Sequence, residues 1–333
     1  MTEVRTNSKD GVVRFGVLGA ADIGRKVVPG IQASENCRVD AVASRTLAKA
    51  EAYAAELSIP RAYGGYDELL ADPNIDAVYI PLPNDMHAEW SIAAVRAGKH
   101  VLCEKPLAMN ASEAASVMKA ASDADRYVVE AFMYRLHPSW KRVKEIVDSG
   151  EIGELSTVQS FFSYFNDDPE NIRNRVASGG GALYDVGCYS INLSRFLFGT
   201  EPIVESATIQ RDETGTDVVT SAILSFGEGT ATFTCSTRLE DDQRVHIYGA
   251  KGRISIEIPF NIPPDQPSRI SISQGGNLPS DPGIVSETFE PADPYACQAN
   301  AFADLVLGNA GPAVPIGDGV LNMAVIDAVF AAG

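Results

Sequence analysis

The ten residues 15–24, FGVLGAADIG, decide how this sequence is interpreted. They overlap an apolar segment that predicts a buried strand and lead into a stretch that predicts a helix. A strand, a glycine-rich turn and a helix in this order are typical of a dinucleotide-binding unit, in which the helix start offers N–H groups to a phosphate. Alanine replaces the second glycine of the G-x-G-x-x-G motif. The alternative interpretation is therefore a plain tight turn that binds no cofactor. The predicted cofactor contacts here are Gly19, Ala21, Asp22, Ile23 and Gly24.

Strand-like and helix-like segments alternate from this turn to about residue 130. This alternation predicts an α/β fold with an N-terminal Rossmann domain, a doubly wound parallel sheet. The later segments alternate polar and apolar residues with little helix between them, which predicts a C-terminal α+β domain with a large open antiparallel sheet. The expected domains are residues 1–130, with 1–11 as a disordered lead, and residues 131–333.

Composition excludes several classes of function. The 333 residues carry a net charge of −17, which argues against a nucleic-acid partner because phosphate binding needs a basic surface. No apolar run reaches about 18 residues and the first eleven are polar, so neither a membrane span nor a secretory signal is predicted. Five scattered cysteines without a CxxC pair favour reduced thiols in the cytoplasm, and four histidines without HxxxH spacing predict no metal site.

The second predicted strand ends in Ser44 and Arg45, and Lys49 follows one helical turn later. A site that prefers NAD usually has an acidic residue here, to hold the ribose 2′-hydroxyl. A hydroxyl and two cations instead suit the 2′-phosphate of NADP, which a guanidinium can bind with two hydrogen bonds. The alternative is an ordinary surface arginine.

Glu104 and Lys105 follow another buried strand, in the segment HVLCEKPLA (100–108). The carboxyl end of a strand is where ligands of doubly wound sheets bind. Lys105 could orient a substrate hydroxyl and Glu104 could bind a ribose, whereas the alternative is a surface ion pair of little energetic value.

The segment GGGALYDVGCYS (179–190) places Asp185 and Tyr189 four residues apart, about one helical turn. Oxidation of an alcohol needs a base for the O–H proton while hydride leaves carbon. Tyrosine has an ordinary pKa near 10, but a nearby ammonium such as that of Lys105 favours tyrosinate. On the residues alone, a helix start with a favourable acid and a buried tyrosine is an equally good interpretation.

Together these motifs resemble those of the Gfo/Idh/MocA oxidoreductases. PLPNDMHAEW (81–90), GKHVLCEKPLA (98–108), EAFMYRLHP (130–138) and GGGALYDVGCY (179–189) occur in the order found in that family, and EKP is its hallmark. Position 189 is tyrosine rather than histidine. In this respect the sequence resembles the branch of glucose–fructose oxidoreductase, NADP-dependent D-xylose dehydrogenases and dimeric dihydrodiol dehydrogenases.

The resemblance implies roles for particular residues. Lys105, Asp185 and Tyr189 are the expected catalytic residues. Further cofactor contacts are expected at Pro83, Asn84, His87, Glu104, Lys105 and Arg135. Lys105, Asp185 and Tyr189 are also expected substrate contacts. Outside the quoted motifs, Asn171 and Arg173 precede the glycines and could line the sugar pocket or lie in a surface loop. Tyr164 and Phe165 could stack on a sugar face or simply pack.

The predicted activity is NADP-dependent oxidation of a pyranose, at C1 of an aldose such as D-xylose or D-glucose, to the lactone. Alternatives on the same scaffold are a trans-dihydrodiol dehydrogenase, an anhydro-sugar ketone reductase or, as a different class, a non-catalytic NADP-binding sensor. The expected partners are a small sugar and further copies of the chain, as a homodimer or homotetramer through the open sheet, with no nucleic acid and no membrane.

Overall fold

The computed structural model describes residues 11–275 and 283–333, which form two compact units. The first unit contains the described residues up to Leu136 together with Pro294–Val320. The second contains the described residues of His137–Asp293 together with Leu321–Gly333. Of the predicted disordered lead, residues 1–10 lie outside the described residues.

The first unit is built around six strands, β1 (Val13–Leu18), β2 (Cys37–Ala43), β3 (Arg61–Tyr63), β4 (Ala77–Ile80), β5 (His100–Cys103) and β6 (Val128–Glu130). Five helices alternate with them, α1 (Gly24–Gln32), α2 (Leu47–Glu56), α3 (Tyr66–Leu70), α4 (Asn84–Arg96) and α5 (Ala111–Asp123). All strand pairs are parallel, in the order β3-β2-β1-β4-β5-β6. This order is that of a Rossmann sheet, so the predicted fold of this region is confirmed.

Burial on both faces explains the apolar runs of the central strands. β4 and β5 contain only buried residues, and β1 has a single residue that is not fully buried. Because the strands are parallel, their carboxyl ends lie at one edge of the sheet. The residues that follow these ends include Gly19 after β1, Ser44 after β2 and Glu104 after β5.

The second unit contains eight strands, β7 (Leu155–Phe165), β8 (Ile203–Arg211), β9 (Asp217–Phe226), β10 (Gly229–Ser236), β11 (Arg238–Gly249), β12 (Arg253–Ile256), β13 (Ser268–Ser273) and β14 (Ile284–Phe289). They form one sheet in the order β14-β13-β12-β11-β7-β10-β9-β8. Every neighbouring pair is antiparallel except β7 and β10, which are parallel because β7 inserts between two strands that are consecutive in sequence. The predicted α+β region is therefore confirmed, with one parallel pair in its sheet.

Two helices of this unit are α6 (Pro138–Ser149) and α7 (Cys188–Phe198), and the π-helical turn Leu183–Gly187 leads directly into α7. The start of α6 is fixed locally, because Nδ1 of His137 accepts the N–H of Ser139 and proline occupies the first helical position. One face of β9 and β10 contacts the π-helical turn, so the sheet directly supports the start of α7.

The chain ends with α8 (Pro294–Leu307) and α9 (Asp318–Ala332). A Cβ at Gly30 of α1 would lie only 2.6 Å from that of Tyr295 in α8, and the rings of Phe15 and Phe302 are 5.3 Å apart. The structure thus differs from the predicted division at residue 130, because the apolar face of α8 completes the core of the first sheet. An apolar helix carries no local signal of which core it will join.

Candidate functional site

The turn between β1 and α1, residues 19–24, is here called the phosphate turn. Gly19 has a φ of +119°, and a Cβ there would lie 3.0 Å from the side chain of Leu82. A Cβ at Gly24 would collide with Oη of Tyr53. That hydroxyl donates to the carbonyl of Ala21 at 2.9 Å, and burial raises the pKa of Tyr53 to about 12, which keeps the donor protonated. Glycine at both positions is therefore required by packing, and Tyr53 is a functional neighbour that the motif did not reveal.

The backbone N–H groups of Ala21, Asp22 and Ile23 have no acceptor within the part of the chain that the structure describes. No side chain caps the start of α1 either. Consecutive N–H groups at a helix start form an anion site, so the turn fits the pyrophosphate of a dinucleotide. The carboxylate of Asp22 binds Arg25 at 2.5 Å instead of capping the helix, and Arg25 also binds Glu56.

The region after β2 presents positive charge. Ser44 is buried and its N–H donates to Tyr63 O, whereas Arg45 and Lys49 are exposed. Neither Arg45 nor Lys49 has a carboxylate partner among residues 11–275 and 283–333. Burial raises the pKa of Tyr66, and the nearby charge of Arg45 opposes that rise. Two cations without acidic partners fit a 2′-phosphate.

The EKP segment follows β5. Tyr79 of β4 donates to Oε1 of Glu104 at 2.7 Å, and burial together with that carboxylate raises the pKa of Tyr79. Lys105 is half-buried and precedes a cis peptide bond to Pro106. Glu104 is therefore anchored from inside the sheet rather than lying free on the surface.

His87 differs from its predicted role as a cofactor contact. It is fully buried in the first turn of α4, where its ring nitrogens lie 2.7 Å from Pro106 O and 2.8 Å from Leu82 O. Burial lowers its pKa. His87 thus connects the loop after β4 to the loop after β5.

Arg135, a predicted cofactor contact, has a partner within the protein. It is buried, and its Nη1 forms an ion pair of 2.9 Å with Asp318, a residue that no motif had indicated. Pro83 and Asn84 lie where α4 begins, with Pro83 at the N-cap and Asn84 as the first helical residue.

In the second unit, the three glycines accommodate neighbouring protein atoms. A Cβ at Gly180 would lie 2.6 Å from Arg173 O, and one at Gly181, where φ is +124°, would collide with the carboxylate of Asp217. Oδ2 of Asp217 accepts the N–H of Leu183 at 2.7 Å. Asp217 therefore anchors the π-helical turn, and burial raises its pKa. These contacts within the protein explain why glycine occupies positions 180 and 181.

Asp185 lies within this π-helical turn and Tyr189 lies in the first turn of α7. The α-helix therefore begins one turn later than the sequence predicted. Single π-helical turns such as this one are frequent at functional sites. Tyr189 is buried in an aromatic group, with ring centroids 5.7 Å from Phe162 and 5.2 Å from Phe260.

Tyr164, Arg173 and Asp185, here called the Asp185 cluster, meet at one carboxylate oxygen. Oη of Tyr164 donates to Oδ2 of Asp185 at 2.5 Å, and Nε of Arg173 donates to the same atom at 3.0 Å. Asn171 supports the cluster, because its side chain accepts the N–H of Arg173. Phe165, by contrast, is 59 % exposed at the end of β7.

Within the described ranges 11–275 and 283–333, no helix is long and apolar enough to cross a membrane. No group of three or more metal-ligating side chains occurs in the same ranges. All five cysteines are free thiols, four of them buried.

Two family models match the chain. Residues 13–132 match an oxidoreductase family with an NAD-binding Rossmann fold, and residues 140–255 match the GFO/IDH/MocA C-terminal domain. The chain belongs to the Gfo/Idh/MocA family. It is an NAD(P)-dependent oxidoreductase, and the resemblance inferred from the motifs is confirmed.

Relatives within the family differ in the reactions that their names describe. A D-xylose 1-dehydrogenase (NADP(+)) of Haloferax volcanii is 40 % identical over 95 % of this chain and 96 % of its own. A trans-1,2-dihydrobenzene-1,2-diol dehydrogenase of Mus musculus is 32 % identical over 74 % of each chain. The crystal structure of the 3-ketoreductase KijD10 of Actinomadura kijaniata, in complex with NADP and TDP-benzene, has a TM-score of 0.89 at 29 % identity and covers 96 % of this chain and 98 % of that one.

Proposed function

We propose that this chain oxidises C1 of a free aldopyranose, such as D-xylose or D-glucose, to the lactone with NADP. The Haloferax volcanii relative, which matches nearly end to end, supports this reaction. The phosphate turn would hold the pyrophosphate through its free N–H groups. Ser44, Arg45 and Lys49 would hold the 2′-phosphate. Bound NADP would supply the hydride acceptor, C4 of its nicotinamide.

The chain's own residues would manage the proton. Tyr189, as a tyrosinate, would take it from the anomeric hydroxyl. Lys105 would supply the positive charge that favours tyrosinate, and Asp185 would orient a sugar hydroxyl. This assignment requires that Lys105 of the first unit act on the same substrate as Asp185 and Tyr189 of the second. Isosteric replacement of each residue tests it, as described below for Tyr189.

The observation that carries the choice of an uncharged sugar is that Arg173, which contacts Asp185, and two further arginines of the second unit are already paired with carboxylates. Arg173 binds Asp185, Arg175 binds Glu170 and Arg238 binds Asp212. A nucleotide diphosphate sugar brings two negative charges and is best bound by cations that are free to bind them. Because each of these guanidinium groups already has a carboxylate, the surroundings of Asp185 suit a neutral polyol better.

A panel of aldoses tests the proposal, with NADPH absorbance as the measurement. A pentose or hexose should be oxidised with NADP, whereas a dTDP-linked ketosugar should not be reduced with NADPH. Tight NADP binding without NADPH formation from any sugar would instead identify a non-catalytic sensor.

A second candidate is the oxidation of a trans-dihydrodiol. The trans-1,2-dihydrobenzene-1,2-diol dehydrogenase of Mus musculus, which is 32 % identical over 74 % of each chain, supports it. Including a trans-dihydrodiol in the same panel distinguishes the two, because kcat/KM for the preferred class should exceed the other by at least about tenfold.

We also propose that the chain forms a homodimer or homotetramer through the second sheet. The face opposite the π-helical turn carries Ser206, Thr208, Ser221, Ile223 and Thr232, and Ile223 is 43 % exposed. Light scattering at micromolar concentration should give at least twice the mass of one chain. A monomer would contradict this assembly.

A further inference from the structure

The carboxylate of Asp185 is held by two separate elements of the second unit. Tyr164 reaches it from β7, and Arg173 reaches it from the loop that precedes the glycines. Both donors end on Oδ2, and only 13 % of the Asp185 side chain is exposed. We propose that Tyr164 and Arg173 are positioning residues that fix Asp185, rather than the sugar contacts that the sequence suggested.

Arg173 is itself fixed before it reaches Asp185. Its N–H donates to Oδ1 of Asn171 at 3.0 Å, and its carbonyl accepts the N–H of Gly181 at 2.9 Å. Any side chain at Gly180 would push this loop away. The planar guanidinium therefore extends from a rigid loop and loses little further freedom when it binds the carboxylate.

Tyr164 acts as a donor in this cluster. Burial, and then the charge of Asp185, raise the pKa of Tyr164, so its phenol keeps the proton that it shares with Oδ2. A phenol and a guanidinium on one oxygen stabilise the ionised carboxylate and hold it in one orientation. The other titratable groups of this neighbourhood are Arg238 on β11, Asp217 on β9, Cys235 on β10, and Cys188 and Tyr189 on α7.

Tyr164 and Tyr189 thus have different roles. Tyr164 keeps its proton and holds Asp185, which leaves Tyr189 as the phenol that can exchange a proton with substrate. This inference rests on the proposed function only in requiring that Asp185 contact the substrate. A displaced carboxylate would bind the sugar nearly as well but would present it poorly for hydride transfer, since misplacement by about 1 Å can lower a rate about 100-fold.

Kinetics of Tyr164→Phe and Arg173→Gln test the proposal against direct sugar binding. Each variant should lower kcat about 10- to 100-fold and change KM by less than about threefold, with the Kd of NADP unchanged. Arg173→Lys should recover part of the lost kcat, because it restores the charge without the fixed geometry. Arg175→Gln is the matched control, since Arg175 lies two residues away in the same loop and binds Glu170 instead.

A double-mutant cycle with Asp185→Asn completes the test. In that background, Tyr164→Phe and Arg173→Gln should have little further effect on kcat, because the residue through which they act has been altered. Independent losses of kcat, or a raised KM with kcat retained, would overturn the proposal. If no aldose is oxidised, the proposed function fails separately, and the cycle is measured on the unfolding midpoint. Additive midpoint shifts would then overturn the coupling to Asp185.

Discussion

The phosphate turn and the Asp185 cluster prepare for a ligand in opposite ways. In the phosphate turn, Ala21, Asp22 and Ile23 leave their N–H groups without acceptors in the described part of the chain. In the Asp185 cluster, Tyr164 and Arg173 already occupy one carboxylate oxygen. The phosphate turn therefore keeps donors available for the proposed pyrophosphate, whereas the carboxylate of the Asp185 cluster is already held by groups of the protein.

This difference predicts different consequences of mutation. Backbone groups in the phosphate turn cannot be deleted by side-chain changes, so only steric or charge changes around them should weaken cofactor binding. Side chains around Asp185 can be removed one at a time, so changes there should lower the rate and leave cofactor binding intact.

The largest effect is expected for Tyr189→Phe in the second region. The ring would keep its packing against Phe162 and Phe260, but the proton acceptor would be lost. We expect kcat to fall about 1,000-fold with the Kd of NADP unchanged, measured by steady-state kinetics and fluorescence titration. Tyr184→Phe, five residues earlier, is the control and should keep nearly normal turnover. A similar rate for both variants would remove Tyr189 from the proton transfer.

A smaller effect, on binding alone, is expected for Arg45→Ala beside the phosphate turn. Loss of charged hydrogen bonds to the 2′-phosphate should raise the Kd of NADP about 10- to 100-fold and leave that of NAD nearly unchanged. Arg38→Ala, on the preceding strand and paired with Asp40, should affect neither. Equal weakening of both cofactors would place Arg45 away from the 2′-phosphate.

Gly24→Ala should have a still smaller effect. The new methyl group would collide with Oη of Tyr53 and disturb the turn, at a cost of about 1–3 kcal/mol, so both NAD and NADP should bind about tenfold more weakly. In Gly24→Ala with Tyr53→Phe, the nearest ring atom would lie 3.4 Å from the methyl group. Titration should show that the double variant recovers most of the affinity. No recovery would mean that another contact requires glycine.

Gly24 and Tyr53 also show how far the sequence could be used. Gly24 could be predicted because the strand, turn and helix around it are continuous in the chain. Tyr53 could not, because the hydroxyl that closes the turn lies on the next helix, 32 residues from its acceptor. The spacing of a motif specifies a backbone shape, whereas the residue that packs against it depends on the fold of the whole sheet.

The same limit applies more strongly to the Asp185 cluster. Asp185 could be named from the resemblance, and Tyr164 and Arg173 from their place in the sequence. Their mutual contacts could not be predicted, because β7 and a loop approach one carboxylate. Asp217 was missed for this reason, because it lies 34 residues beyond the N–H that it accepts. His87 and Arg135 could be named in the same way, but their contacts with Pro106 and Asp318 could not, because a motif does not show which distant residues the fold brings next to it.

Each unit also contains a buried histidine, and its titration should change the free energy of unfolding rather than the rate or the cofactor affinity. Burial lowers the pKa of His100 in the first unit and of His137 in the second to about 4. Both values lie below the ordinary pKa of 6.5. The folded chain therefore binds fewer protons than the unfolded chain between about pH 4 and pH 6.5. The contribution of each neutral histidine to the free energy of unfolding is complete above about pH 6.5. It is lost as the pH falls towards 4, by up to about 1.4 kcal/mol per pH unit for each histidine.

His137→Asn isolates one of these contributions. Asparagine caps a helix as well as histidine does here, so α6 should keep its start while the titrating ring is removed. Urea unfolding at pH 7 and pH 5 should show a smaller loss of unfolding free energy in the variant than in the parent chain. An equal loss in both would mean that His137 is not buried as a neutral ring, and that the second unit draws its acid sensitivity from carboxylates whose pKa is lowered by folding. Glu287 is the first of these to examine, because its hydrogen bond to Arg142 lowers its pKa.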